Sequence, residues 1–226
     1  IDYEEKINFR MNNENLDKLD LLLATGETSD FPVINKNFKS RIKNVLVCGN
    51  IRLELLKKKY RKLMEKDAEL IKNKFGDYIL LLTAFPKVNK EVPSYMIDSM
   101  FYDIVEYNLD PESKWVNILN DHVKLARDSL IQTLKFLNNF EKNFPDKKLV
   151  ISPHPNEKID FWKRYIFKRK FKNIFLNTDM HSPSHPLIFA SDIIISSNST
   201  TILEAYFLEK KVINLLGKKE RISEID

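Results

Sequence analysis

The sequence predicts an α/β fold, a parallel sheet flanked by helices, and three observations carry that prediction. Short apolar runs of strand length recur along the chain. Stretches with apolar residues at helical spacing separate them. Two of the runs end in compact polar clusters, where a strand gives way to a helix. Leu149-Val150-Ile151 leads into Ser152-Pro153-His154-Pro155, and Ile193-Ile194-Ile195 leads into Ser196-Ser197-Asn198-Ser199-Thr200-Thr201. Unbroken apolar runs of this kind belong to strands buried on both faces.

In chain order, Leu19 to Ala24 and Val45 to Cys48 read as strands, with polar and turn residues over Thr25 to Asn44. Leu53 to Phe75 shows Leu55, Leu56, Tyr60, Leu63, Met64, Leu70 and Ile71 at helical spacing, and Gly76 is a natural stop for that helix. Tyr78 to Thr83 reads as a strand, followed by a loop with Pro86 and Pro93. A helix is expected over Tyr95 to Tyr107. Asp110-Pro111-Glu112 is a helix-start signal, and Ser113 to Phe144 is a long amphipathic helix closed by Pro145. Then come a strand at Leu149 to Ser152, a helix from about Ile159 to Phe171 and a strand at Ile174 to Leu176. A short helix at Pro186 to Ala190, a strand at Ile193 to Ser196, a helix at Thr200 to Leu208 and a strand at Val212 to Leu215 complete the pattern. Right-handed crossovers between parallel strands place every strand-to-helix loop on one edge of the sheet, in a Rossmann-like arrangement. No internal repeat or low-complexity segment appears.

The chain has 226 residues, of which 43% are hydrophobic and 31% charged, so it can bury a substantial core. Its four glycines form no G-x-G-x-x-G or Walker-type loop, which removes the commonest phosphate-binding fingerprints. The single cysteine, Cys48, rules out an internal disulfide and any cysteine-rich zinc site, and its place after Val45-Leu46-Val47 suits a buried structural thiol. No signal-peptide pattern and no apolar stretch of about 18 residues is present, so a cytoplasmic location is expected. The net charge of +5 is modest, and much of the basic excess lies in Lys163-Arg164 and Lys168-Arg169-Lys170, with Lys172 just after. The plainer account is a solvated helix face opposite Phe161, Trp162, Tyr165 and Phe167. A nucleic-acid footprint and peripheral contact with the inner face of the cytoplasmic membrane are the alternatives.

Two elements carry the chemistry. His154 stands between prolines that keep it out of a helix interior, at a strand end where an imidazole can donate to a phosphate or protonate a leaving group. Ser196, Ser197, Asn198, Ser199, Thr200 and Thr201 supply more hydroxyl and amide donors than capping needs. With the exposed N–H groups of the following helix they suit an anion. Glu204, in the same helix, is positioned to reach ribose hydroxyls or to sit as a first-turn acid. Lys87 and Asn89, in the loop after the Tyr78 to Thr83 strand, and Pro155 complete the candidate substrate contacts, because ligands of open α/β sheets bind outside the carboxyl ends of the strands. His181 and His185 have metal-like spacing, but Pro183 and Pro186 interrupt the helix such a pair requires, and no metal is expected.

With those residues laid out, the chain resembles a bacterial family of surface carbohydrate biosynthesis proteins built on the GT-B glycosyltransferase plan. The likeness runs from about Leu21 to Leu215. Cys48-Gly49-Asn50-Ile51-Arg52-Leu53-Glu54-Leu55-Leu56 is similar to its G-N-P-R-x-D-L-L element, and Gly76-Asp77-Tyr78-Ile79-Leu80 with Asn89 to the first strand and loop of its C-terminal domain. Ser152-Pro153-His154-Pro155-Asn156-Glu157 with Phe161-Trp162 resembles R-P-H-P-S-E…W. Ala190-Ser191-Asp192 through Thr200-Thr201 and Glu204-Ala205 resembles A-S-D…N-x-x-T-T-x-x-E-A. Ile51, Ser152 and Ala84 stand where that family has proline, arginine and asparagine. The histidine-proline and serine/threonine elements are also similar to those of capsule sialyl-, Kdo- and glycerophosphate transferases.

The resemblance implies that residues 76–226 form the nucleotide-sugar-binding Rossmann-like domain, the C-terminal half of a GT-B-type fold. Residues 1–75 are then the end of the N-terminal half plus a linker helix. It implies a metal-independent glycosyltransferase of capsule, lipopolysaccharide or other surface polysaccharide synthesis, with His154 as the catalytic residue. The donor is a CMP-, CDP- or UDP-linked sugar and the acceptor a glycan or lipid-linked glycan, with no further cofactor and no nucleic acid partner. A sugar-nucleotide 2-epimerase and a non-catalytic sugar-nucleotide-binding module are the rival expectations.

Overall fold

The structure, a computed structural model, describes residues 4, 11, 16–89, 114–179, 183–196 and 201–215. Contacts divide the chain into two compact units, Ile1–Lys57 and Lys58–Asp226.

In the first unit a 3-10 turn, Leu16–Lys18, precedes strand β1 (Leu22–Ala24), helix α1 (Asp30–Asn37), strand β2 (Val45–Val47) and helix α2 (Ile51–Glu54). The two strands pair in parallel, with Leu23 opposite Leu46. Helix α1 corrects the expectation of turn structure across Thr25 to Asn44. It buries Ile34, which packs with Leu16, Ala24 and, past the helix end, Phe38 and Ile42. Pro32 is tolerated because it falls in the first turn, where N–H groups have no partner inside the helix. Cys48, expected buried, is half-buried just past β2.

The expected continuous helix over Leu53 to Phe75 is broken. After α2, the chain forms a 3-10 turn at Lys58–Tyr60 and only then helix α3 (Lys62–Phe75). Lys57, Lys58, Lys59, Arg61 and Lys62 crowd like charges at neighbouring helical positions, which disfavours an uninterrupted helix through them. The contact boundary falls at this break, and α3 packs within the second unit. Gly76 caps α3 with a φ of 71°, a conformation suited to glycine.

The second unit continues with β3 (Ile79–Leu82), α4 (Lys114–Asn143), β4 (Leu149–Ser152), α5 (Ile159–Arg169), β5 (Ile174–Leu176), α6 (Ser184–Ala190), β6 (Ile193–Ser196), α7 (Thr201–Phe207) and β7 (Lys211–Asn214). The helix expected over Tyr95 to Tyr107 lies outside the described residues. The five strands form one parallel sheet in the order β5-β4-β3-β6-β7. The unit is therefore α/β, a Rossmann-like sheet with the first strand at its centre.

Helices cover both faces. Leu81, Leu149, Ile151, Ile174 and Ile195 form one core layer with Leu137 and Phe140 of α4 and Trp162 of α5. Leu80, Val150 and Ile194, alternating with them, are fully buried on the opposite face. Near that face α3 packs against α6, and the Tyr78 hydroxyl donates to the Leu187 carbonyl at 2.7 Å. This double burial explains why the inner strands β3, β4 and β6 are apolar up to their last residues, whereas the edge strand β7 carries Lys211 and Asn214.

Burial pushes the Tyr78 phenol well above the ordinary tyrosine range, with the charge of Asp192 adding to the effect. Folding thus favours the neutral phenol. The stabilisation is complete below about pH 10, the unfolded tyrosine value, and is lost as pH rises beyond it. Tyr78→Phe is expected to reduce that alkaline loss and to cost about 1 kcal/mol at neutral pH. Urea unfolding of both proteins across the alkaline range reads both effects, and an unchanged alkaline slope in the variant would contradict them.

No described helix is long and apolar enough to cross a membrane.

Candidate functional site

Because all five strands are parallel, their carboxyl ends share one edge. Leu82 stands in register with Ser152 on one side and Ser196 on the other, and Ser196 with Asn214. From β3 the chain steps outward through β4 to β5, then returns to build β6 and β7 on the other side. The strand order reverses between β3 and β6, and a crevice at such a reversal is where open α/β sheets bind ligands. The loop Thr83–Asn89 leaves β3 there, and the segment leading to α7 leaves β6. The His154 loop leaves β4 on the neighbouring side.

A buried carboxylate organises this edge. Glu157 is only 3% exposed. Its Oε1 accepts from the Thr83 hydroxyl at 2.8 Å and from the backbone N–H groups of Phe85 and His154, each at 3.1 Å. Its Oε2 accepts from the Trp162 indole N–H at 2.9 Å and the Asn89 side-chain amide at 3.4 Å. The Lys158 N–H also donates to the Asn89 carbonyl at 2.8 Å, so the β3 and β4 loops are laced together twice. In the sequence Glu157 is one residue of the Ser152 to Glu157 element with nothing local to mark a role. Its donors lie up to 74 residues away, so only the fold identifies it as a hub.

His154 is half-buried on this scaffold. Its backbone N–H is held by Glu157, and its Nδ1 accepts from the Asn156 backbone N–H at 3.1 Å. An Nδ1 that accepts carries no proton, so the neutral ring bears its hydrogen on Nε2. The loop thus fixes a tautomer in which Nε2 is the donor. Pro153 is buried and Pro155 exposed.

The other candidates fall as follows. Asn89 is buried, and its amide bonds Glu157 and the Lys158 carbonyl, so it builds the wall of the loop. Lys87, with Ala84 and Phe85, lines a pocket of about 210 Å³ against His122, Leu125, Ala126 and Ser129 of α4. Thr201 opens α7 half-buried. Glu204 is buried, with Oε2 3.3 Å from His185 Nε2 and accepting from the Ser184 hydroxyl at 3.2 Å, which ties α7 to the start of α6. Ser197, Asn198, Ser199 and Thr200 lie outside the described residues, as does His181. Ser196 ends β6 fully buried, and its hydroxyl has no hydrogen-bond partner among the described residues. At the end of β5, the Asn177 amide donates to the Ser152 hydroxyl at 3.3 Å, bracing β4 where the His154 loop begins.

No protein-family model and no curated protein matches this chain. Among solved structures it is similar to KpsC of Thermosulfurimonas dismutans, a beta Kdo 2,7 transferase, at 16% identity and a TM-score of 0.33, over 94% of this chain and 68% of that one. With a TM-score of that size, the fold assignment rests on the sheet topology itself.

Proposed function

We propose that the second unit binds the nucleotide-activated sugar of a metal-independent glycosyltransferase serving capsule, lipopolysaccharide or other surface polysaccharide synthesis. One observation supports this most. The strand order reverses between β3 and β6, the His154 loop with its Nε2 donor leaves the adjoining strand β4, and the sequence that follows β6 is rich in hydroxyls. A donor lying in the crevice presents its phosphates to both.

In the transfer, an acceptor hydroxyl attacks the anomeric carbon and gives up its proton to water or to the departing phosphate, as the bond from that carbon to the phosphate oxygen breaks. The nucleotide leaves with the negative charge. His154 Nε2–H and the hydroxyls of Ser197, Ser199, Thr200 and Thr201 supply fixed donors where that charge develops, which lowers the barrier more than it tightens ground-state binding. Asn198 adds an amide donor, and Lys87 brings a cation on the β3 loop.

The test is a thermal-shift screen of the full chain against CMP, CDP, UDP, GDP and their common sugar conjugates, with Ser199→Ala/Thr200→Ala alongside. One nucleotide class at about 100 times its dissociation constant is expected to stabilise the protein by roughly 2.7 kcal/mol, several degrees in Tm, and the double variant to lose the shift. Silence with every nucleotide would overturn the proposal. Binding without turnover would leave a nucleotide-sugar-binding module in place of a transferase.

A further inference from the structure

Helix α5 carries an aromatic residue on its charged face. Phe161, Trp162, Tyr165 and Phe167 are expected from the sequence on one apolar side, and the structure separates the last from the others. Trp162 is fully buried, Phe161 and Tyr165 pack partly buried against the core, and Phe167 is 83% exposed. At about 100° per residue, Phe167 points roughly 120–160° away from the other three. It shares a stripe with Asp160, Lys163 and Arg164, all exposed; Lys168 is exposed a quarter-turn round the helix, and Lys170 and Lys172 extend the positive charge beyond the helix end. Among the described residues, Lys163 alone of these cations meets a carboxylate, Asp160 at 3.4 Å. Glu141 of α4 takes the backbone N–H of Lys172.

The crevice makes no use of this charge. Helix α5 starts beside the His154 loop and runs back to the start of β5, so Lys168, Lys170 and Lys172 lie at the opposite edge of the sheet. Eleven residues of helix put about 16 Å between the two ends.

We infer that this face of α5 docks on a bilayer surface bearing anionic lipids, with Phe167 entering the headgroup layer and Lys163, Arg164, Lys168 and Lys170 meeting the phosphates. An exposed aromatic among long cationic side chains is the composition of interfacial helices. Single-stranded nucleic acid is a poorer fit. It calls for a basic groove with several stacking platforms, and this surface is one convex helix with one aromatic on it. The inference goes beyond the nucleotide-sugar proposal and stands whatever the crevice binds.

The test is flotation of the full chain with phosphatidylcholine vesicles and with vesicles of equal parts phosphatidylcholine and phosphatidylglycerol, at low and high salt. Binding to the anionic vesicles alone, weakened by salt, is expected. Arg164→Glu/Lys168→Glu is expected to lower the partition coefficient by at least about tenfold, since each cation near the surface is worth about fivefold. Phe167→Ser lowers it several-fold on either side of the salt series. All three substitutions are at exposed positions, so an unchanged Tm verifies that the variants fold. Absence of binding to anionic vesicles, or equal binding by wild type and variants, overturns the inference. Tighter binding to a single-stranded oligonucleotide, lost in the same variants, overturns it in favour of a nucleic-acid face. The nucleotide screen on these variants should match wild type, which keeps failure here separate from failure of the transferase proposal.

Discussion

Glu157→Gln is expected to lower the unfolding free energy of the second unit by roughly 3–5 kcal/mol, the largest effect of any single polar substitution proposed for this chain. The glutamate side chain presents two acceptor oxygens to five donors. Glutamine keeps the size but turns one acceptor into an NH2 group. If the amide nitrogen takes the Oε1 position, it faces the Thr83 hydroxyl and two backbone N–H groups. If it takes the Oε2 position, it faces the Trp162 indole and the Asn89 amide. Each buried donor left without an acceptor costs about 1–3 kcal/mol, and the site is too enclosed for water to replace the lost oxygen. The Tm should fall by roughly 10 °C, since each kcal/mol is worth about 2–4 °C at this size. Urea unfolding with an unchanged m-value measures the same loss. A loss below about 1 kcal/mol would show that the carboxylate does not tie the two loops together in solution. Thr83→Val, which removes one of the five donors and leaves the carboxylate the other four, should cost no more than about 1–2 kcal/mol.

His154→Ala separates function from folding at the same loop. The side chain is half-buried, and its ring accepts one hydrogen bond from the exposed Asn156 N–H, so the substitution should change stability by about 1 kcal/mol or less. A donor hydrogen bond to a charged phosphate is worth about 1.5–3 kcal/mol, so nucleotide affinity should fall by roughly 10–100-fold. Calorimetric titration with the nucleotide identified in the screen gives the number. Retained affinity together with lost transfer would place His154 on the leaving group in the transition state only. Retained affinity and retained transfer would remove His154 from the site. Taken with Glu157→Gln, the pair distinguishes a residue that meets the ligand from one that holds the loop.

Much of the second unit was legible in the sequence for a physical reason. Strands buried on both faces are apolar along their length, so β4 and β6 stand out as short unbroken runs with their observed limits, and the edge strand β5 shows as Ile174-Phe175-Leu176 although Phe175 is exposed. The first unit was less legible. Helix α1 is short, begins Asp-Phe-Pro and buries only Ile34, so its sequence carries no apolar stripe to set it apart from the turn-forming residues around it. The break before α3 was hidden because Leu53, Leu55, Leu56 and Tyr60 keep helical spacing across it, and apolar periodicity does not register the repulsion of cations three and four residues apart. Phe167 misled for a related reason. It is adjacent in sequence to the core aromatics, yet six residues of helix turn it about 120° from Phe161.

By itself, the sequence determined the fold class, the alternation of strand and helix in the second unit and the loops that carry His154 and the hydroxyl-rich segment. These are local properties, fixed by burial pattern and by proline and capping chemistry within a few residues. Tertiary structure alone decided the strand order, and with it the reversal between β3 and β6. It also decided the role of Glu157, whose donors come from two loops distant in sequence, and the pairing of Glu204 with His185. A buried carboxylate is defined by the donors that surround it, and a helix face by what does or does not pack against it; neither is a property of neighbours along the chain.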